Sequence, residues 1–220
     1  YIYKYTYTIN KKESDTMLKN IFLDVFSDTW PTILIAVVIA VSLRLAYLLK
    51  GHKKIILYKE LLMLIFIIYA LCLFHVVTYQ DVNFGTNNFI PFKEIFRYDL
   101  GTPKFIKNII GNIIMFIPFG FFASYFLKSK KIGIPLILTI ILTTTIETVQ
   151  YYIGRVFDID DIILNIVGGI LGYLLFITMD FLQNKIPGLK NNHILNLLII
   201  IIIVIIVIYG FDINIFGLYG

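Results

Sequence analysis

A segment rich in polar and ionisable side chains, residues 143–172, lies between long apolar runs. Its candidate reactive residues are Glu147, Gln150, Arg155, Asp158, Asp160, Asp161 and Asn165. Carboxylates can act as general acids or bases, and grouped carboxylate oxygens can hold a divalent cation such as Mg²⁺. Ionisable side chains at membrane depth are costly, so we expect these to face a site inside the protein and not the lipid.

The composition places the chain among integral membrane proteins. Of its 220 residues, 59% are hydrophobic and only 15% are charged, whereas a soluble domain is about half apolar and a quarter charged. The formal net charge of +5 does not indicate a nucleic-acid partner, because the basic residues lie in short segments between apolar runs. Cys72 is the single cysteine, which excludes an intramolecular disulfide and a zinc site built from cysteines.

Six apolar runs have roughly the 20 residues that a helix needs to cross a bilayer about 30 Å thick. They are residues 30–49, 61–80, 105–127, 132–152, 161–179 and 193–209. Each should be helical, because an open strand edge cannot satisfy its hydrogen bonds in lipid. The sequence therefore predicts an all-α fold, a polytopic transmembrane helical bundle of about six spans.

The distribution of lysines predicts the orientation of the bundle. Lysines follow the first, third and fifth runs, so these loops lie on one face, which we assign to the cytoplasm. Met17 is a more conventional start than Tyr1, and we expect residues 1–16 not to be native. We divide the chain into an N-terminal segment (1–29), a transmembrane domain (30–180), and a C-terminal part (181–220) with a cytoplasmic loop, a further span and a short tail.

Four of the predicted helices carry polar residues at a similar depth near the outer face. With a rise of about 1.5 Å per residue, Glu147 lies roughly 8 Å from the end of its helix and Asn165 roughly 6 Å from the start of the next. Residues four apart, such as Asn108 and Asn112, share one helix face. We therefore expect an outward-opening polar pocket. Its ligand-binding residues would be Asn108, Asn112, Gln150, Asn165 and His75.

Prolines, glycines and aromatic residues around this pocket are expected to be structural. Pro118 removes a hydrogen bond inside its helix and should kink it, with Gly120 adding slack nearby. Gly168 and Gly172 stand four residues apart, a spacing that lets two membrane helices approach closely. The aromatic loop after the second run is expected to lie in the membrane interface or to return toward the pocket. Its structural residues are Pro91 and Phe92.

Three motifs follow one another along the chain. They are N-x-x-P-F at residues 88–92, N-x-x-x-F-x-P-x-G at 112–120, and E-x-x-Q, R and D-x-x-D-x-x-x-N-x-x-G within 147–168. In this order and spacing the chain resembles the VanZ-like membrane proteins over about residues 30–180. The resemblance implies a multi-pass protein of the bacterial plasma membrane, associated with resistance to teicoplanin-type glycopeptides. It implies no particular reaction.

Three functions fit these residues. In the first, the pocket recognises an envelope lipid, a lipid-linked cell-wall precursor or a lipophilic glycopeptide and contributes to antibiotic resistance, with Arg155 meeting a phosphate or carboxylate. In the second, the protein is a membrane enzyme acting on a lipid-linked head group. Its catalytic residues would be Glu147, Arg155, Asp158 and Asp161. In the third, Glu147 and His75 serve a proton-coupled transporter.

Structural interpretations of the same residues stay open. Glu147 and Arg155 form a buried ion pair in one such interpretation, and Asp158 or Asp160 caps the following helix in another. No cofactor is expected apart from a divalent cation, for which carboxylate oxygens are suitable ligands. The candidate metal ligands are Asp158, Asp160 and Asp161.

Overall fold

The computed structural model describes residues 30–47, 50, 57–79, 86–99, 102–185, 198 and 201–202. Five helices in these residues are long and apolar enough to cross a membrane. They are α1 (Trp30–Tyr47), α2 (Leu57–Tyr79), α3 (Gly111–Leu127), α4 (Gly133–Tyr152) and α5 (Ile159–Lys185). The described residues contain no strand beyond one isolated parallel bridge between Asn88 and Asp158.

These helices confirm the predicted all-α membrane bundle. The first five predicted spans correspond to α1 through α5. The sixth, residues 193–209, lies outside the described residues apart from 198 and 201–202, which are helical. The N-terminal segment 1–29, with the expected start at Met17, also lies outside them.

The most extensive helix contact joins α3 to α5, and glycines make it possible. A Cβ atom built on Gly168 would lie 2.2 Å from the carbonyl oxygen of Ile113, and one built on Gly172 would lie 2.1 Å from that of Ile117. Only hydrogen atoms fit in these spaces, so the two backbones approach more closely than any larger residue allows. The predicted close approach of α5 to a neighbour is therefore confirmed, and the neighbour is α3.

Gly120 of α3 and Gly169 of α5 also contribute to this close contact. A Cβ on Gly120 of α3 would lie 2.0 Å from the carbonyl oxygen of Gly169, and a Cβ on Gly169 would lie 2.6 Å from the Thr139 side chain of α4. Gly120 therefore serves helix packing, and the slack expected there is not its main contribution. Helix α3 runs on through Pro118, which is buried.

Helix α2 packs on this core through aromatic and aliphatic side chains. Tyr69 is buried and donates a hydrogen bond to the carbonyl oxygen of Met115 on α3, at 2.8 Å. Helix α1 buries none of its apolar span within the described bundle. It is tied to α2 by two hydrogen bonds from the Arg44 guanidinium to the Glu60 carboxylate, at 2.7 and 2.9 Å.

We expect Gly172→Ala to destabilise the bundle, because its methyl group would overlap the Ile117 carbonyl and force α3 and α5 apart. Overpacking of this kind costs about 1–3 kcal/mol. The measurement is the free energy of unfolding of the purified protein in detergent. Gly133→Ala is the matched control, since a Cβ there meets nothing within 4 Å and alanine favours helix by up to about 1 kcal/mol. Equal stability of the two variants would contradict the assignment of the contact.

Candidate functional site

The polar residues gather at one end of the bundle, which we call the polar end. Here α2 and α4 end, and α3 and α5 begin. Gly154 follows α4 with a φ of 86°, a left-handed conformation that glycine adopts without steric cost. The amide of Arg155 then donates to the Gln150 carbonyl at 2.9 Å. This turn brings the acidic start of α5 back beside the end of α4, as predicted.

Glu147 occupies the centre of the polar end. Only 2% of it is exposed. One carboxylate oxygen accepts the backbone N–H of Asp158 at 3.1 Å. With the Gln150 amide oriented to satisfy its hydrogen bonds, its nitrogen donates to the other oxygen at 3.0 Å and its oxygen accepts from Arg155 at 2.6 Å. Glu147 is therefore linked to Arg155 through Gln150.

Arg155 joins the turn after α4 to the end of α2. Its guanidinium donates to the carbonyl oxygen of Val77 at 3.0 Å, in addition to the hydrogen bond with Gln150. Burial lowers the pKa of Arg155 from its ordinary value, while the nearby Glu147 and Asp161 oppose that decrease. A buried guanidinium needs such acceptors, so Arg155 holds α2, α4 and the following turn together.

Asp158 caps α5. One of its carboxylate oxygens accepts the backbone N–H of Asp160 at 2.9 Å, the geometry of an N-cap, and also the side-chain amide of Asn88 at 2.8 Å. Burial raises the pKa of the Asp158 carboxyl, and these two hydrogen bonds oppose the increase. The backbone of Asn88 pairs on both sides of Asp158, donating to Phe157 at 2.8 Å and accepting from Ile159 at 3.0 Å.

Asp160 fixes the loop that precedes α3. This buried carboxylate accepts the backbone N–H groups of Phe92, Glu94 and Ile95, the latter two at 2.7 and 3.2 Å. Phe92 has a φ of 67°, which turns its amide and those that follow toward one acceptor. Pro91 and Phe92 are thus part of a turn that is held against Asp160 at the polar end.

The three predicted metal ligands accept hydrogen bonds from the protein. The Asn88 side-chain amide donates to Asp158 and, at 3.5 Å, to Asp160, which also accepts the loop amides. Asp161 accepts the side-chain amide of Asn112. Within the part of the chain that the structure describes, no group of three or more histidine, cysteine, aspartate or glutamate side chains is placed to hold a metal ion. The structure therefore brings Asp158 and Asp160 close to one donor but does not arrange the three predicted ligands as one metal-binding group.

Two asparagines form hydrogen bonds between α5 and neighbouring helices. Asn112 of α3 donates to Asp161, and Asn165 donates to the Thr143 hydroxyl of α4 at 2.9 Å. Asn165 is 2% exposed, and its side-chain oxygen has no hydrogen-bond partner among the described residues. An unsatisfied buried acceptor costs about 1–3 kcal/mol, so this oxygen is a candidate for contact with a ligand.

Two further predicted pocket residues, His75 and Asn108, lie on neighbouring elements. His75 is buried on α2, two residues before Val77. Asn108 is half-buried in a π-helical segment, Ile106–Ile110, that runs directly into α3. Segments of this kind occur frequently at functional sites. The sequence gives no sign of it, because one wide turn leaves the apolar pattern of the helix unchanged.

Three residues of this site are not predicted from the sequence. Asn88 belongs to the N-x-x-P-F motif, but that motif does not indicate that it joins the loop to both Asp158 and α5. Thr143 lies four residues before Glu147, and this spacing predicts that both side chains lie on the same face of the helix. Gly169 was hidden beside Gly168, since only the three-dimensional packing shows which neighbour each glycine meets.

A family model described as VanZ/LLP1 matches residues 61–182, more than half of the chain. Protein VanZ of Enterococcus faecium is 35% identical over 91 residues, which cover 40% of this chain and 48% of that protein. The chain thus matches about half the length of this relative. No solved structure matches.

We expect Asp160→Ala to release the loop, because three backbone N–H groups would lose a charged acceptor. Hydrogen bonds to charged groups contribute about 1.5–3 kcal/mol each, so trypsin should cut after Lys93 and Arg97 at least about ten times faster. The rate of cleavage at these two sites in reconstituted protein is the measurement. Asp180→Ala is the control, because Asp180 lies on the same helix and pairs with exposed Lys130 at 3.6 Å. Unchanged cleavage in Asp160→Ala would show that another contact holds the loop.

The chain of hydrogen bonds from Glu147 through Gln150 to Arg155 predicts energetic coupling. Glu147→Gln presents an N–H group to Gln150, which must reverse its amide and lose Arg155. Glu147→Gln and Arg155→Met should each destabilise the protein, and the double variant should cost less than their sum by about 1 kcal/mol or more. The free energies of unfolding of the four proteins test this. Arg97→Met combined with Glu147→Gln is the control and should be additive. Additivity in both pairs would refute the coupling.

Proposed function

The chain belongs to the VanZ/LLP1 family, and we propose that its polar end recognises the head group of a membrane amphiphile. The amphiphile is an envelope lipid, a lipid-linked cell-wall precursor or a lipophilic glycopeptide, and its recognition contributes to antibiotic resistance. Its apolar tail would remain in the bilayer beside the helices. The polar residues of four helices at a single end of a membrane bundle support this placement.

An excess of hydrogen-bond acceptors inside the polar end carries the proposal. The buried oxygen of Asn165 has no hydrogen-bond partner among the described residues, and four buried or half-buried carboxylates accompany the single half-buried guanidinium of Arg155. These carboxylates are Glu147, Asp158, Asp160 and Asp161. A site rich in acceptors favours a ligand rich in donors, such as sugar hydroxyl, amide N–H or ammonium groups. Precursors built from sugars and peptides, and glycopeptides themselves, carry such groups.

Arg155 has a different role in this proposal from the one expected from the sequence. Its guanidinium donates to Val77 and Gln150 inside the protein. Those bonds make it a positioning residue that keeps Gln150 and Glu147 oriented. The ligand-contacting residues are then Asn165 and Asp161, with Asn108 and His75 on neighbouring helices. The predicted contact of Arg155 with a phosphate or carboxylate is not needed.

The lysine distribution supports an outward orientation for the polar end. Lys128, Lys130 and Lys131 follow α3 at the opposite end of the bundle, and lysine-rich loops favour the cytoplasm. In this orientation the polar end reaches the outer leaflet of the plasma membrane. Lipid-linked precursors are used there, and the lipid tail of a teicoplanin-type glycopeptide inserts there.

The alternatives have less support. For the enzyme, both carboxylate oxygens of Glu147 accept hydrogen bonds from the protein, and the side chain is almost fully buried. A general acid or base must reach the proton that it transfers. For the transporter, the polar layer lies near one end of the helices, whereas transporter sites lie near the bilayer midplane.

We expect Asn165→Leu and Asp161→Asn to abolish protection of a glycopeptide-susceptible Gram-positive host. The first removes the buried acceptor, and the second replaces a carboxyl group by an amide of similar size. The minimum inhibitory concentration of teicoplanin should return to its value in cells with the empty vector. Asp180→Asn, on the same helix but near its other end, should retain full protection. Immunoblots of membranes must show equal amounts of each protein.

Direct binding separates recognition from resistance. Native mass spectrometry of the purified protein should show adducts with teicoplanin or a polyprenyl-linked disaccharide-peptide, and Asn165→Leu should lose them. Full protection by both site variants, inserted in normal amounts, would remove the pocket from the mechanism. Absence of every adduct would refute recognition of these amphiphiles.

A further inference from the structure

The loop before α3 exposes large apolar side chains although its backbone is held firmly. We call residues 88–97 the interfacial segment. Its exposed apolar residues are Phe89, Ile90, Phe92 and Phe96, with 66, 63, 50 and 84% of their surfaces accessible. The backbone of this turn is ordered, because three of its amides donate hydrogen bonds to Asp160. These side chains therefore face outward in the folded protein, toward a partner or a solvent that accepts apolar groups.

Basic side chains accompany the apolar ones. Lys93 and Lys104 are exposed, and 70% of the Arg97 side chain is accessible. Arg97 contacts Glu94 at 3.0 Å, but an exposed pair of this kind is weak and leaves the guanidinium able to meet another anion. Aromatic groups interleaved with basic ones fit a surface that is apolar underneath and negatively charged on top.

The position of the segment identifies that surface. Asn88 pairs with the backbone just before α5, and the Phe89 ring stacks on Phe157 with centroids 5.2 Å apart. The segment therefore lies level with the start of a membrane-spanning helix. Tyr151 and Tyr152, at the end of α4, are also exposed at this level. Tyrosine is enriched where membrane helices meet the head groups, so the surface is continuous with the lipid-facing sides of the bundle.

We propose that the interfacial segment binds the head-group region of the surrounding bilayer and prefers anionic lipid. The exposed phenylalanines insert beside the head groups, while Lys93 and Arg97 meet lipid phosphates. Asn88 and Asp160 transmit this contact to the polar end, because they join the segment to Asp158 and to the start of α5. The lipid contact is thereby linked to the elements of the polar end. This inference does not rest on the proposed ligand.

Tryptophan fluorescence of the full-length protein in vesicles tests the proposal. The chain has a single tryptophan, Trp30, so Trp30→Phe with Phe96→Trp reports on the segment alone. In phosphatidylcholine vesicles containing phosphatidylglycerol, we expect a blue-shifted emission. Lipids brominated near the head-group end of their chains should quench it at least twofold more than lipids brominated near the chain ends. Emission typical of indole in water, without quenching by either lipid, would overturn the insertion of the segment.

Removal of charge tests the preference for anionic lipid. In the same background, phosphatidylglycerol should increase the quenching by lipids brominated near the head group, and Lys93→Gln with Arg97→Gln should abolish that increase. Lys130→Gln with Lys131→Gln, a matched pair at the other end of the bundle, should retain it. Equal quenching with and without phosphatidylglycerol in the parent protein would refute the preference. Neither measurement uses a glycopeptide or precursor, so loss of resistance or of ligand binding leaves these outcomes unaffected.

Discussion

A carboxylate buried next to lipid must find its hydrogen-bond donors inside the protein, since hydrocarbon supplies none. This constraint organises the polar end. Glu147 takes the amide of Asp158, Asp158 takes that of Asp160, and Asp160 takes three amides of the interfacial segment. The first two acids in this series each accept the backbone N–H of the acid that follows, and the third accepts N–H groups of a distant loop. The end of α4, the start of α5 and the loop before α3 are consequently one connected unit.

That unit depends on the close approach of α3 and α5. A Cβ atom on Gly168 or Gly172 would lie only 2.2 or 2.1 Å from a carbonyl oxygen of α3, so these glycines let the two backbones come close together. This close approach brings Asn112 within hydrogen-bonding distance of Asp161. Packing between membrane helices relies on such contacts, because apolar side chains gain little by leaving lipid for one another. Small residues in the middle of the bundle and polar residues at its end are therefore parts of the same arrangement. Within it the side-chain oxygen of Asn165 accepts no hydrogen bond from the described residues.

Much of this arrangement follows from the sequence. The apolar runs predicted α1 through α5, and the depth of Glu147 and Asn165 predicted a polar layer at one end. Roles within the layer were less accessible. Asp160 was expected to be a metal ligand, yet its partners are amides about 65 residues away in the chain. A one-dimensional pattern shows that a carboxylate needs a partner and cannot show whether a cation, a guanidinium or a turn of backbone supplies it.

The sequence alone determined the class of the protein, its helices and the set of polar residues that must avoid lipid, because hydrophobic length and the cost of buried charge act locally along the chain. Tertiary structure decided which of these residues meet. The choice of α3 as the partner of α5, the path from Glu147 through Gln150 to Arg155, and the attachment of the loop to Asp160 all join distant parts of the chain or depend on the geometry of a turn. Such contacts are fixed by the mutual fit of whole helices, which no local pattern records.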